Sequence, residues 1–414
     1  MGVQPDRTVA ELKQLRELTG NDDGAQRVAF TDVWKSARDW LKAKLAELPV
    51  VVEEDPAGNL WATLEGESPR ALLMGGHIDS VPNGGWLDGC LNTLAALESL
   101  RRFCTQYEGS KPPFTVRLVD WADEEGARFG MSLFGSSAFS GNLDMERCRT
   151  LVDRDGISLE EALRSQGLEL ARAPEASRQR ENAAAYLELH IEQGPVLEEL
   201  GLPLGVVLGT YGVERHEISF HGQAAHSGST PMHRRKDAFL AAGNMGQEVY
   251  DLTDRHGGVS TIGSCRTKPG IVTSVVAECT ITLDQRHLDV AGLAALLSGA
   301  RAASERHAET AGATVDWTRL WHIEPILFND DLIGLCDEAI REVAGTSHRL
   351  PSGPLHDAAE VARAGIPTVM MFVQSLYGIS HNKIEDTLEE HLEQSVLAFA
   401  RLADRTMEWL GRTS

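Results

Sequence analysis

The chain repeatedly runs a short apolar stretch into a cluster of ionisable side chains, and that habit constrains its fold more than any other feature. The clearest case is residues 71–92, ALLMGGHIDSVPNGGWLDGCLN. Ala71 to Met74 are apolar and bounded by glycine, the mark of a buried strand. The strand empties into Gly75-Gly76-His77-Ile78-Asp79. Turn formers follow (Pro82, Asn83, Gly84, Gly85), then Asp88-Gly89 at the head of a helical run. A His and two Asp thus lie beyond one strand end, where open α/β sheets place their sites.

The pattern recurs. Residues 114–122, FTVRLVDWA, read as a strand that ends in Asp123-Glu124-Glu125. Residues 185–194, AYLELHIEQG, form another, with His190 near its end and Gln193 just after. The strand PTVMMFVQ (367–374) runs into Ser375 and on to His381. One chemical reading is a metal site. His77 supplies a neutral imidazole, Asp79 orients that ring, and Asp88 has two oxygens with which to bridge two ions. Adjacent acids such as Glu124 and Glu125 can then divide the work, one binding metal and the other moving protons. The bland alternative is a polar loop and a solvated acidic turn. At this level both stand.

Length and charge bound the rest. A chain of 414 residues holds two domains comfortably. A net charge of −22 argues against a nucleic-acid partner and fits a cytoplasmic protein. No stretch reaches the roughly 18 apolar residues of a membrane span, and the N-terminus lacks a signal-peptide layout. The six cysteines are scattered without a CxxC pair, so no structural zinc or disulfide scaffold is expected. The pattern changes near residue 206, which divides the chain into 1–207, 208–323 and 324–414. The middle segment is expected to be an inserted β–α–β–α–β domain. It carries His226 in a loop after its first strand, Arg286 at a strand end, and Arg215.

Seven stretches resemble the carbamoylase branch of the dinuclear-metal aminoacylase/carboxypeptidase superfamily. They are GNLWATLEG (58–66), GGHIDSVPNGGWLDG (75–89), DEEGARFG (123–130), LHIEQGPVLE (189–198), GQAAHSGSTPMHRRKDA (222–238), SGPLHDAAEVA (352–362) and GISHNKIEDT (378–387). The branch holds N-carbamoyl-L-amino acid hydrolases, β-ureidopropionases and allantoate amidohydrolases. The resemblance implies an α/β fold: a mixed-sheet di-metal hydrolase domain with a smaller inserted α+β lid and dimerisation domain. It implies two divalent cations (Zn, Mn, Co or Ni). His77 and His190 would hold one, Glu125 and His381 the other, and Asp88 both. Glu124 becomes the general base and Asp79 the support for His77. Gln193, His226, Arg215, Arg286 and His356 would meet the substrate, with Arg286 on its carboxylate. The expected reaction is hydrolysis of a ureido or amide C–N bond by a metal-bridged water, in a homodimer. Allantoate amidohydrolysis, an aminoacylase or dipeptidase activity, and a silent binding protein are the alternatives. The chain departs from the family pattern at Thr273, Leu355, Tyr211 and Trp86, all on the substrate side.

Overall fold

A computed structural model describes residues 2–413. They form two units, 2–208 with 328–413, and Gly209–Leu327. The first is built on a mixed sheet. Four neighbouring strands at its centre are parallel, in the order Thr368–Val373, Ala183–Ile191, Ser68–His77, Phe114–Trp121. Leu204–Thr210 pairs antiparallel on one side, and Leu60–Leu64 then Val51–Glu54 on the other. The last two form the hairpin expected around Pro56–Gly58.

Burial explains the parallel centre. Every residue of Phe114–Trp121 is buried, as is Ala71 through His77. Strands hidden on both faces read as continuous apolar runs, and helices must cover them. Cys90–Gln106 is one such cover, with buried residues all around its first three turns. Glu389–Arg412 packs against Pro5–Thr19 and Asp330–Ala344. Leu72, Leu73 and Met74 are fully buried, each contributing about 1.5–3 kcal/mol over an exposed position.

The His77 strand lies between two parallel neighbours, both of which come later in the chain. The connection leaves it for Phe114–Trp121 on one side and returns to Ala183–Ile191 on the other. The order in which strands are added switches sides there, opening a crevice at the carboxyl ends of the strands. The strand also runs further than its apolar core predicts, through Gly75 and Gly76 to His77 itself. Gly75 has no room for a side chain, because a Cβ there would stand 1.9 Å from the Val119 carbonyl oxygen.

The second unit corrects the expected β–α–β–α–β. Its sheet has four strands, in the order Val259–Lys268, Glu278–His287, Gly212–His221, Thr314–Ile323, all pairing antiparallel. With helices Ala238–His256 and Val290–Thr310 this is a β–α–β–β–α–β arrangement. Val259–Lys268 escaped the sequence reading for a physical reason. It is an edge strand in which no residue is buried, so it needs no continuous apolar face.

Candidate metal centre

Each of the four parallel strands delivers its site residues at the same end. His77 closes its strand, and His190 is the penultimate residue of its own. Glu124 and Glu125 follow Trp121, and His381 follows the turn after Val373. The turns are tight. Asp123, Gln193 and His381 all have left-handed backbone, with φ of 55°, 58° and 53°, a conformation that costs energy for residues with a Cβ. Gly89 is left-handed too, and a Cβ there would lie 2.4 Å from the His77 ring. Asp88 is therefore held against His77 by a turn that only glycine permits.

Backbone carbonyls orient both buried histidines. His77 Nδ1 is 3.2 Å from the Asp79 carbonyl, and His190 Nδ1 is 2.8 Å from the Ile191 carbonyl. A carbonyl only accepts, so each Nδ1 carries the proton and each Nε2 offers a lone pair. Both Nε2 atoms face one oxygen of Asp88: Oδ1 lies 3.6 Å from His77 and 3.3 Å from His190. The other oxygen, Oδ2, is 3.5 Å from His381 Nε2, which is itself 3.4 Å from Glu125 Oε2. Two groups result, His77–Asp88–His190 and Asp88–Glu125–His381, and Asp88 gives one oxygen to each.

The geometry fits divalent cations. Ligand atoms 2.0–2.1 Å from a tetrahedral ion stand about 3.3–3.4 Å from one another, close to the separations here. His77 Nε2 is buried without a hydrogen-bond partner, an expensive state for a nitrogen that lacks a cation to face. The acids make the same demand. Burial pushes the Glu125 carboxyl well above its usual range, and Asp88 adds repulsion. Glu124 is also pushed well up by burial, against the opposing pull of His77, with Asp357, Glu125 and Asp88 repelling it further. Burial works against Asp88 as well, yet His190, His77 and His381 hold it far below the ordinary carboxylate range. His77 goes up despite its burial, because Glu124, Asp79 and Asp88 outweigh it.

Glu124 belongs to neither three-residue group. Its Oε2 lies 3.7 Å from His77 Nε2, beside the ligands rather than among them. Asp79 supports the site more broadly than expected. Its carbonyl meets His77, while its carboxylate accepts the amide N–H groups of Glu124 and Glu125 at 3.3 and 3.2 Å. It thereby ties two strand ends together.

Among the residues expected to meet substrate, Gln193 turns its amide nitrogen to Asp88 Oδ2 at 2.7 Å. His356 sits behind the site. It is 2% exposed and its ring centre is 4.2 Å from that of His190. In the second unit, His226 Nδ1 accepts the amide N–H groups of Gly228 and Ser229 at 3.1 and 3.2 Å. A neutral His226 consequently carries its proton on Nε2, as a donor. Arg286 Nε donates to Asp284 Oδ1 at 2.8 Å, and Arg215 binds the other oxygen of Asp284 at 2.6 and 2.8 Å.

Sequence reasoning missed two residues that shape the bridge. Ser380 Oγ is 3.0 Å from Asp88 Oδ2 and 2.8 Å from Glu385 Oε2. Glu385 Oε1 also accepts the amides of Leu87 and Asp88, at 3.1 and 3.0 Å. One hydroxyl proton cannot serve two carboxylates. The conflict disappears when Glu385 is protonated, donating to Ser380 while Ser380 donates to Asp88. Burial, with repulsion from Asp88, pushes Glu385 up to about 7, which favours that arrangement. Their only sequence signal was their position beside His381.

The profile of Peptidase family M20/M25/M40 matches residues 73–405, a span that contains both ligand groups. The chain belongs to this family. Among its relatives is an N-carbamoyl-L-amino acid amidohydrolase of Geobacillus stearothermophilus, 34% identical over 394 residues, covering 94% of this chain and 95% of the relative. An allantoate amidohydrolase of Escherichia coli K12 is 32% identical over 381 residues, covering 91% and 92%. A crystal structure of a hydantoinase/carbamoylase family amidase from Burkholderia multivorans superposes with a TM-score of 0.86 at 31% identity, covering 97% of this chain and 98% of that one. The M20 chain described here is accordingly a hydrolase of C–N bonds in the hydantoinase/carbamoylase group, with an α/β mixed-sheet fold. Among the described residues, no helix is long and apolar enough to cross a membrane.

Proposed function

We propose that this protein hydrolyses the ureido C–N bond of an N-carbamoyl amino acid, using two divalent cations (Zn, Mn, Co or Ni). The observation that carries the reading is the division of Asp88, one oxygen to each ligand group, with Glu124 left over as a carboxylate beside them. Cations bound there would supply Lewis acidity and lower the pKa of water toward neutrality.

The chain's own residues supply the rest. Glu124 accepts a proton from the attacking water and returns it to the leaving nitrogen. Its buried, acid-crowded position raises its basicity, which suits it to that exchange. His226 is assigned to the oxyanion, because its Nε2 is the donor nitrogen. Arg286 is assigned to the substrate carboxylate, with Asp284 fixing its Nε and the strand fixing its root. Gln193 and Ser380 hold Asp88 Oδ2 in place from the side opposite the buried histidines. Arg215 supports Arg286 through the shared Asp284, and His356 backs His190.

The sequence names of relatives favour a ureido acid and include allantoate as a second candidate. We also take the protein to pair with a second copy through its inserted unit. Phe239 and Tyr250 are each about half exposed on one helix, at 52% and 51%. Spaced with Gly243 and Gly246 at helical intervals, they share one face.

The test is ammonia release by protein reconstituted with Mn²⁺ or Zn²⁺. The panel holds N-carbamoyl-L-amino acids, N-carbamoyl-β-alanine, allantoate and N-acetyl amino acids. Ammonia from an N-carbamoyl-L-amino acid is the expected result. Ammonia from allantoate alone reassigns the substrate. Release of acetate instead, or inactivity with both cations bound, overturns the proposal.

A further inference from the structure

Two of the six cysteines meet across the sheet of the inserted unit. Cys265 lies on the edge strand Val259–Lys268 and Cys279 on its neighbour Glu278–His287, with their sulfurs 3.6 Å apart. Register places Cys265 opposite Ile281 and Cys279 opposite Thr267, so the thiols are diagonal neighbours on one face. Their surroundings differ sharply. Cys265 is exposed, whereas Cys279 is wholly buried in the second unit's core. The remaining four, Cys90, Cys104, Cys148 and Cys336, are all buried.

We propose that Cys265 and Cys279 form a dithiol site that reacts with small-molecule disulfides and closes into an intrachain disulfide. The exposed thiol is the one that meets the reagent. Cys265 thiolate attacks one sulfur of an oxidised low-molecular-weight thiol, forming a mixed disulfide and expelling one thiolate. Cys279 then attacks Cys265 Sγ, its proton passing to the second expelled thiolate. The small disulfide is reduced to two thiols, and the protein dithiol is oxidised by the same two electrons.

The asymmetry sets the order of attack. Burial, and the neighbouring Cys265 sulfur, push the Cys279 thiol up to about 12, so it stays protonated until a mixed disulfide stands beside it. A disulfide needs sulfurs about 2.05 Å apart, so closure draws the pair together by roughly 1.5 Å. The edge strand has a partner on one side only, which leaves it room to make that shift. The product staples the edge to the strand that carries Arg286.

The experiment incubates the metal-loaded protein with glutathione disulfide, quenches with an alkylating agent, and reads intact mass and linked peptides. The expected product has lost two hydrogens, contains a Cys265–Cys279 peptide, and titrates with two fewer thiols after denaturation. Cys279→Ser should stop at a glutathione adduct on Cys265, and Cys265→Ser should take up none. A wild-type protein that keeps a glutathione adduct on Cys265 with Cys279 still free overturns the proposal, as does a Cys265 that does not react. The wild-type mass decides the question even if either serine variant folds poorly.

Discussion

Replacing Glu124 by glutamine separates proton transfer from metal binding. The side chain keeps its volume, so the buried position stays filled. Neither ligand group contains Glu124, so both cations should remain, at two per chain by elemental analysis. What is lost is a carboxylate that stands beside the ligands without belonging to either group, its Oε2 3.7 Å from His77 Nε2. General acid–base groups of this kind contribute about 10²–10⁴ in rate, or about 3–5 kcal/mol of barrier at 1.36 kcal/mol per tenfold. The fall should appear in kcat, with KM little changed, because the ground state does not need the proton moved. A second readout comes from the metal-free protein. Glu124 is crowded by Asp357, Glu125 and Asp88, so removing its charge should raise the unfolding temperature of the apo form at alkaline pH. The assay is ammonia release on the substrate found active, paired with metal content on the same preparation. Near-full turnover by Glu124→Gln with both cations present would refute the role and the reasoning behind it.

Other outcomes follow from the same geometry. Asp88→Ala should strip both cations, whereas Glu125→Gln should lose only the one shared with His381; equal losses in the two variants would contradict a bridging Asp88. In metal-free protein, Glu385 binds its proton more tightly when folded, since its carboxyl is pushed up to about 7 from 4.5. Its contribution is therefore present below about pH 4.5 and is lost as pH rises through about 7, an effect of up to about 3 kcal/mol. Denaturant titrations across that window should show wild type losing more stability than Glu385→Gln, and parallel curves would count against the Glu385–Ser380–Asp88 relay. Phe239→Asp should convert a dimer to a monomer by light scattering, and an unchanged mass would move the contact elsewhere.

Much of the site was legible because its residues sit at strand ends that the sequence marks twice. An apolar run announces each strand, and an ionisable cluster announces its end. His77, Asp88, Glu124, Glu125, His190 and His381 could be named on those signals together with the order of the motifs. Ser380 and Glu385 could not, since a serine and a glutamate near a histidine carry no periodic or compositional signal. Their importance comes from hydrogen bonds to Asp88 across nearly three hundred residues of chain, 292 in the case of Ser380.

The edge strand Val259–Lys268 was hidden for a related reason. Strand signals come from burial, and this edge strand has no buried residue to supply an apolar run. The sequence by itself determined that ionisable side chains cluster at the ends of buried strands. Only the tertiary structure decided that Asp88 offers one oxygen to each group and that two carbonyls set the histidine tautomers. It also decided that Cys265 and Cys279 face one another. Those facts depend on distances between segments far apart in the chain, and local pattern holds no record of them.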